Sequence, residues 1–325
     1  MVLPTRGQQL AKQVRDSHGD IYIHGIEMGG NPLSAALKEK IKAGNQVFIT
    51  PEAASTINYN IKKVKEKGFT IVSEKELERA NTDGSLKIHT VDLNPNVLNS
   101  FLSSNFITQS FDIVAVAVQD HGKSEGSSTN FRGQWIQAQL KKAPKLDSFL
   151  FSEKEIPSFL LRMNKIITYL RKFYPKSRLY VMDTVFAAIQ WATYSQSKGP
   201  NVISMDIGNG HTAAVSRKGD EIYGYFEFHT SAITPSKLEW AIERLIDGKL
   251  TNEEIWSEGG HGALTRKPLA PPLDLYITGP HRRFIIQTKL EYHFANPLGD
   301  MMITGCVGLA LGIERREKIR ILDPI

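Results

Sequence analysis

The sequence predicts an α/β protein of about two domains, and three observations support this. Short apolar runs alternate with helical stretches from end to end, which is the pattern of α/β layers. The run 113–118 is apolar throughout, as in a strand that is covered on both faces of its sheet. At about 150 residues per domain, a chain of 325 residues has room for two domains.

The first elements follow from apolar runs, glycine stops and capping residues. Gly44 and Gly68 end predicted helices, and Thr50 followed by Pro51 is a typical helix start. Strands are predicted over 21–24, 46–49, 69–72, 87–91, 112–118 and 178–182, and helices over 33–43, 51–67 and 159–173. A further helix, rich in small residues, follows Asp183. Residues 122–147 have no clear periodicity, so we expect a long loop there.

The polar segment 195–200 is the predicted boundary between a first lobe, 1–199, and a second lobe, 200–325. Strands are then predicted over 202–206, 211–216, 221–226 and 273–278, and helices over 235–246 and 301–313. In the last helix Gly305, Gly308 and Gly312 share one face, where they permit close helix approach. We expect Cys306, beside them, to be a small buried residue.

The composition excludes several classes of protein. The formal net charge is only +6 and basic residues are spread along the chain, so nucleic acid is not an expected partner. One cysteine excludes intrachain disulfides and iron–sulfur clusters that need three or four thiolates. The longest apolar run, 113–118, is far shorter than the ~18 residues of a membrane span. We expect a cytoplasmic protein without a membrane partner, and the sequence leaves its oligomeric state open.

The most informative stretch is 202–215, where a strand, a turn with two glycines and a second strand follow one another. Backbone N–H groups in such a turn can surround a phosphate, and a carboxylate at the strand end can hold Mg²⁺ through water. The candidate phosphate-binding residues are Asp206, Gly208, Asn209, Gly210, His211 and Thr212. A plain hairpin explains the same residues equally well, because Asn-Gly is the strongest two-residue turn signal.

The segment before this turn favours the phosphate-binding interpretation. A strand runs into Asp183, a helix with Ala187 and Ala188 follows, and a hinge leads to the turn after Asp206. This order resembles the middle of the superfamily of actin, the heat-shock chaperones and the sugar kinases. The resemblance implies two ribonuclease H-like lobes with mixed sheets flanked by helices, in an actin/hexokinase-like arrangement. It also implies that the cleft between the lobes binds ATP or another nucleotide with Mg²⁺.

The superfamily resemblance assigns roles to further residues. Asp183 and Asp206 would be metal ligands, and Gly279, Pro280 and Arg282 would lie on the nucleotide side. An ordinary strand exit explains Gly279 and Pro280 as well, and a surface position is the alternative for Arg282. The chain departs from the pattern at its start, because no Asp-x-Gly motif occurs in the first 80 residues. We therefore expect the first lobe to lack its N-terminal strand and phosphate loop.

A closer resemblance covers nearly the whole chain. Six short motifs occur in order, at 27–30, 118–122, 206–212, 259–262, 278–280 and 299–302. They resemble an uncharacterised microbial family whose members are often labelled pyruvate formate-lyase activating enzymes. That activation uses a radical iron–sulfur enzyme with three ligating cysteines on one loop, whereas this chain has a single cysteine. We therefore expect the family without the activity, and no iron–sulfur cluster.

Two other groups of residues are candidates for the site. Asp120 and His121 follow the strand 112–118, and ligands of open α/β sheets bind at the carboxyl ends of strands. His121 could be a general base and Asp120 its orienting group or a metal ligand, or both could cap the loop. Gly29 and Gly30 precede a predicted helix and could bind an anion, or they could form a simple turn.

Three functional hypotheses follow. The first is phosphoryl transfer or hydrolysis on a small phosphorylated ligand, with Asp120 or His121 placing the nucleophile. The second is a metal-dependent hydrolase or isomerase built from Asp120, His121, His211, His229 and His261. The third is a non-catalytic nucleotide sensor or scaffold that kept the cleft and lost the chemistry.

Overall fold

A computed structural model describes residues 4–80, 83–107, 110–123, 128–194, 199–296 and 299–322. The chain divides into two compact units. The larger unit contains Val114–Leu160 and Arg178–Ile325, and the smaller contains Leu3–Ile113 and Leu161–Ser177. The lobe boundary predicted at 195–200 falls inside the larger unit, and residues 195–198 lie outside the described ranges.

The helices, in chain order, are α1 (Arg6–Asp16), α2 (Asn31–Lys42), α3 (Pro51–Ala54), α4 (Ile61–Glu66), α5 (Glu74–Arg79), α6 (Pro95–Ser104), α7 (Ser128–Lys142), α8 (Leu161–Arg171), α9 (Thr184–Tyr194), α10 (Pro235–Ile246), α11 (Asn252–Ser257) and α12 (Thr304–Glu317). The strands are β1 (Ile21–Gly25), β2 (Val47–Ile49), β3 (Thr70–Ile71), β4 (Leu86–Thr90), β5 (Ile113–Ala117), β6 (Leu150–Ser152), β7 (Arg178–Met182), β8 (Asn201–Ile207), β9 (His211–Lys218), β10 (Glu221–His229), β11 (Gly260–Thr265), β12 (Asp274–Thr278) and β13 (His293–Phe294). These are mixed α/β layers, so the predicted fold class is confirmed at that level.

The larger unit is built on a six-stranded mixed sheet in the order β11-β10-β9-β8-β12-β13. Strands β8 to β11 pair antiparallel, whereas β12 is parallel to both β8 and β13. One face packs its apolar side chains, among them Met205 and Phe228, against Leu238 and Leu245 of α10. A separate three-stranded sheet has the order β5-β7-β6.

The smaller unit contains a four-stranded parallel sheet in the order β3-β2-β1-β4. Its core joins Ile21 and Ile23 of β1 to Leu10 of α1 and Leu37 of α2. Gly44 and Gly68 follow α2 and α4 with φ of +93° and +89°, which confirms their predicted role as helix stops.

Helices α9 and α12 pack together in the larger unit, and glycines permit the close approach, as predicted. A Cβ on Gly308 would lie 1.8 Å from the carbonyl oxygen of Ala187, and one on Gly312 would lie 3.0 Å from Gln190. Gly305 faces open space and takes no part in this contact. The expectation that Cys306 is buried is wrong, because its side chain is exposed.

Two predictions of local structure are wrong. Residues 122–147 contain the 15-residue helix α7 instead of one long loop. Its buried face mixes Arg132 and Gly133 with Trp135, Ile136 and Leu140, so the apolar stripe that would mark the helix in the sequence is short and interrupted. The single helix predicted over 51–67 is divided into α3 and α4, with Asn60 capping the second of them.

No helix in the described part of the chain is both long enough and apolar enough to cross a membrane.

Candidate functional site

A row of paired residues crosses one face of the six-stranded sheet. Its members, in strand order, are Thr278, Asp206, Ala213, Glu227 and Gly262. Residues paired across neighbouring strands point to the same face, and this face is opposite the one that α10 covers. Strands lie about 4.8 Å apart, so the backbones of Asp206 and Glu227 are separated by roughly 10 Å. Ala213, between them, is too small to fill that space.

Glu227 is fully buried and carries four polar contacts. Its Oε1 accepts from Arg132 Nε at 2.8 Å, and it lies 2.5 Å from His211 Nδ1 and 3.3 Å from His261 Nδ1. The hydroxyl of Tyr225 donates to Oε2. Burial alone would raise the pKa of Glu227, but Arg132 and His211 hold it well below the ordinary value. The carboxylate is therefore ionised at neutral pH.

Arg132, on α7, is the cation that balances this carboxylate. Its guanidinium also binds Asp183 in a bidentate pair, at 2.7 and 3.1 Å, and it donates to the carbonyl oxygen of Asp120 at 3.0 Å. Burial would lower the pKa of Arg132, but Asp183 and Glu227 raise it well above the ordinary value. The side chain of Arg132 has no solvent exposure.

The backbone of α7 comes unusually close to strand β11, and this brings Arg132 to the sheet. A Cβ on Gly133 would lie 2.0 Å from the carbonyl oxygen of His261, a separation that no side chain tolerates. The glycine therefore fixes the approach of the helix to the strand that carries His261.

The position of His261 results from an irregularity in the sheet. Phe228 pairs with Gly260 and Glu227 pairs with Gly262, so one step on β10 matches two steps on β11. His261 is the extra residue of a β-bulge, and bulges redirect side chains. Here the redirected imidazole reaches Glu227.

Four imidazoles gather at this end of the sheet. The ring centre of His211 lies 4.5 Å from that of His261, 5.1 Å from His121 and 6.0 Å from His229. Burial, with help from Arg132 and His211, lowers the pKa of His121 to about 3. Burial also lowers the pKa of His211, although Glu227 opposes it. Both rings are neutral at pH 7, which is the form that binds metal ions.

Asp206 ends β8 in a different environment. Its side chain is nine-tenths buried, and the charged groups that act on it are the carboxylates of Asp183 and Glu227. Burial and these like charges raise the pKa of Asp206 to about 7. A buried carboxylate of this kind gains most from a bound proton or a bound cation.

The turn after Asp206 is a tight hairpin. The N–H of Gly208 donates to the carbonyl oxygen of His211 at 2.9 Å, and Thr230 Oγ1 donates to the carbonyl oxygen of Gly208 at 2.8 Å. Thr212 Oγ1 lies 3.1 Å from Thr230 Oγ1. The predicted turn is therefore present, and β10 supports it through Thr230.

The predicted nucleotide-side residues lie beside this turn. His281 donates its N–H to the carbonyl oxygen of Ile207 at 3.0 Å, and its Nε2 lies 3.2 Å from Asn209 Oδ1. Gly279 has a φ of +98°, and a Cβ there would lie 2.5 Å from Asp206 Oδ1. The two turns thus meet at the carboxylate of Asp206, where only a glycine fits.

A pocket of about 430 Å³ opens at the junction of the two turns. Ile207, Pro280, His281 and Arg283 are among the residues that line it. Its volume is in the range of small-molecule sites. Arg282, which was predicted on the nucleotide side, donates from its guanidinium to the carbonyl oxygen of Gly279 at 3.3 Å.

Several predicted site residues already have partners within the chain. Asp120 Oδ1 caps its own loop by accepting from the N–H of Gly122 at 2.8 Å, which agrees with the capping alternative. Both oxygens of Asp183 are bonded to Arg132. Gly29 and Gly30 belong to the smaller unit, where the N–H of Gly29 donates to Asp92 Oδ1 at 3.1 Å.

Sequence reasoning missed Glu227 and Tyr225 as site residues. With His229 they form an alternating polar series on β10, at positions i, i+2 and i+4 of one strand. Such a series on a strand that is otherwise apolar would have indicated a buried polar face.

Comparison with known proteins gives a family and a distant structural likeness. None of the curated proteins matches this chain. Among solved structures, an acetate kinase from Entamoeba histolytica matches at 14% identity with a TM-score of 0.21, over 48% of this chain and 50% of that one. This chain thus spans about half the length of the acetate kinase, and a likeness at that score carries no argument.

A family model covers residues 28–284. Its description is "Putative pyruvate format-lyase activating enzyme (DUF1786)". The matched range is well over half of the chain and contains both the turn after Asp206 and the histidine cluster. The chain belongs to this family.

Proposed function

We propose that the protein binds a small phosphorylated ligand, a nucleotide with Mg²⁺, at the carboxyl ends of β8 and β12. The observation that carries the proposal is the carboxylate of Asp206, which is buried, lies between two glycine turns and has the carboxylates of Asp183 and Glu227 acting on it. A magnesium ion would compensate that charge, since Mg²⁺ is commonly held by one or two carboxylates together with substrate phosphates.

The residue after Asp206, Ile207, lines the pocket, and the other lining residues support a ligand of this class. His281 and Arg283 give its rim two groups that can bind phosphate oxygens, while Ile207 and Pro280 supply apolar surface for a base or a sugar. The site also lies at the carboxyl ends of two parallel strands, where open α/β sheets bind their ligands.

The sheet topology supports the actin-like fold proposed for the larger unit. Three antiparallel strands, β10-β9-β8, are extended on the far side by the parallel strands β12 and β13. This is the strand order of a ribonuclease H-like lobe. We do not extend the activity in the family's description to this chain, because the chain has one cysteine and a radical iron–sulfur enzyme needs three.

The reaction we propose is phosphoryl transfer or phosphate hydrolysis. His121 is the nearest candidate to place a nucleophile, because it is neutral and lies beside His211, which follows the phosphate turn. Asp120 would contribute only by capping the loop that carries His121.

Titration calorimetry with Mg²⁺–ADP and Mg²⁺–ATP tests the proposal. We expect wild-type binding that weakens at least tenfold without Mg²⁺ and at least tenfold in Asp206→Asn. Asp274→Asn is a matched control, because Asp274 is at the opposite end of the neighbouring strand β12. Absence of nucleotide binding by the wild type, or equal binding by Asp206→Asn, would refute the proposal. Binding without release of phosphate would favour the non-catalytic sensor.

A further inference from the structure

We propose that His211, His261 and Glu227 bind a divalent transition-metal ion of the zinc or iron class. All three residues are buried, and one potential ligand atom from each lies within 4.8 Å of the others. Two imidazoles with one carboxylate are a recurring ligand set for catalytic zinc and for non-haem iron. This site is separate from the magnesium position proposed at Asp206.

The spacing of the rings fits a common ion. Imidazoles bound tetrahedrally to one metal at about 2.1 Å have ring centres roughly 5 Å apart. The rings of His211 and His261 are 4.5 Å apart, and His121 lies 5.1 Å from the first and 6.5 Å from the second. His121 can therefore be a third nitrogen ligand, or it can face a water on the metal.

The fixed charges around the site favour a cation. Arg132 faces two carboxylates, Asp183 and Glu227, and all three side chains are fully buried. One guanidinium cannot neutralise both, so one negative charge is left for another cation. A metal ion at the histidines would supply that compensation in a medium where unbalanced charge is costly.

The ligand types separate this site from one for Mg²⁺. Imidazole nitrogens suit zinc, iron, copper and nickel, whereas Mg²⁺ prefers oxygen ligands alone. His229 is less suited to the ligand set, because it is exposed and its Nδ1 lies 2.7 Å from Ser231 Oγ.

The chemical step that such an ion offers is activation of water. Bound water loses a proton at far lower pH than bulk water, and the hydroxide can attack a phosphorus or carbonyl centre. The proposal concerns the site itself, however, and holds whether or not a nucleotide binds at Asp206.

Metal content tests the inference. Protein prepared without a polyhistidine tag, once aerobically and once anaerobically, is analysed by mass spectrometry for zinc, iron, manganese and nickel. Chelator-treated protein is then titrated with ZnCl₂ and, anaerobically, with ferrous sulfate. We expect about one equivalent per chain, and an affinity at least about 100-fold lower in His211→Ala and His261→Ala. The control His293→Ala removes an exposed histidine of the same unit, on β13, and should bind metal like the wild type.

The result that would overturn the inference is a chelator-treated wild type that binds neither zinc nor iron more tightly than His211→Ala does. If the alanine variants do not fold, thermal unfolding of wild type and Glu227→Gln replaces them. Added zinc should then raise the unfolding temperature of the wild type and leave that of Glu227→Gln unchanged. Equal shifts in both would also overturn it. Failure of nucleotide binding leaves these results unaffected, so the two proposals fail separately.

Discussion

Asp206 and Glu227 are two buried carboxylates on the same face of one sheet, with one strand between them, and their pKa values move in opposite directions. Glu227 accepts hydrogen bonds from Arg132 and Tyr225 and lies against two imidazoles, so its pKa falls well below the ordinary value. Burial and the carboxylates of Asp183 and Glu227 raise the pKa of Asp206 to about 7. Burial is common to both, so the partners decide the direction.

This difference separates two kinds of site within one unit. The region around Glu227 is a hydrogen-bonded network that holds imidazoles in place, which is what a preformed metal centre needs. Asp206 is a buried carboxylate on which two further carboxylates act, which is what a site completed by a bound cation needs.

Removing the Arg132 cation beside Glu227 should lower the free energy of unfolding more than any other substitution proposed here. Arg132→Met leaves two buried carboxylates without their partner, and we expect a loss of about 3–5 kcal/mol in the free energy of unfolding. Urea denaturation measures it. Arg283→Met, which removes an exposed arginine, should change the stability by about 0.5 kcal/mol or less. A loss in Arg132→Met no larger than this would show that the network does not depend on the guanidinium.

Removing the carboxyl group of Asp206 should abolish its contribution to the pH dependence of stability. Because its folded pKa is about 7, above the ordinary 3.8, its contribution to stability is complete below pH 3.8 and is lost as the pH rises to 7. The loss is at most about 4 kcal/mol over that range. Denaturation of metal-free wild type and Asp206→Asn at pH 5 and pH 8 should show the variant gaining stability relative to the wild type at the higher pH. A constant difference would contradict the raised pKa.

A substitution that moves α7 away from the sheet should weaken the hydrogen-bonded network around Glu227 without removing a charged group. A methyl group on Gly133 would meet the carbonyl oxygen of His261, so Gly133→Ala should cost about 1–3 kcal/mol and reduce metal affinity. Gly305→Ala is the control, because that helical position faces open space and alanine should stabilise it by up to about 1 kcal/mol. Equal behaviour of the two variants in thermal unfolding would rule out the close packing at Gly133.

Lowering the pH should reduce the contribution of His121 to stability, whereas it increases the contribution of Asp206. The folded pKa of His121 is about 3, below the ordinary 6.5, so its contribution is complete above pH 6.5 and is lost as the pH falls. Between pH 6.5 and pH 5 the free energy of unfolding of the wild type should fall by about 2 kcal/mol more than that of His121→Gln, as measured by urea denaturation. The exposed His18→Gln serves as a control. Equal acid sensitivity of His121→Gln and the wild type would contradict the lowered pKa.

Local signals predicted much of the fold and part of the site. Apolar runs located the strands of both sheets that carry most of the core, and the Asn209–Gly210 pair located the hairpin. Helix α7 was missed because its buried face contains an arginine, and a buried arginine is stable only through partners elsewhere. One of those partners, Glu227, lies 95 positions away in the chain.

The same reason explains why the centre of the histidine cluster was missed. The predicted third strand of the hairpin series ends at 226, because Glu227 and His229 are typical of a strand end that reaches solvent. The structure continues β10 through both. The bulge that brings His261 to Glu227 depends on pairing between strands that are 34 positions apart, which no local pattern encodes.

The decisive measurement is the carboxyl titration of Asp206 with and without ligand. Carbon-detected nuclear magnetic resonance on protein labelled at aspartate and glutamate carboxyl carbons follows Asp206 and Glu227 together. In the free protein we expect Asp206 to titrate near pH 7 and Glu227 to stay ionised down to the lowest pH at which the protein is folded. With saturating Mg²⁺–ADP the pKa of Asp206 should fall by more than one unit, because a cation favours its charged form, while Glu227 does not change. An Asp206 that titrates near pH 4 in the free protein, or one whose pKa the magnesium nucleotide does not move, would contradict the account.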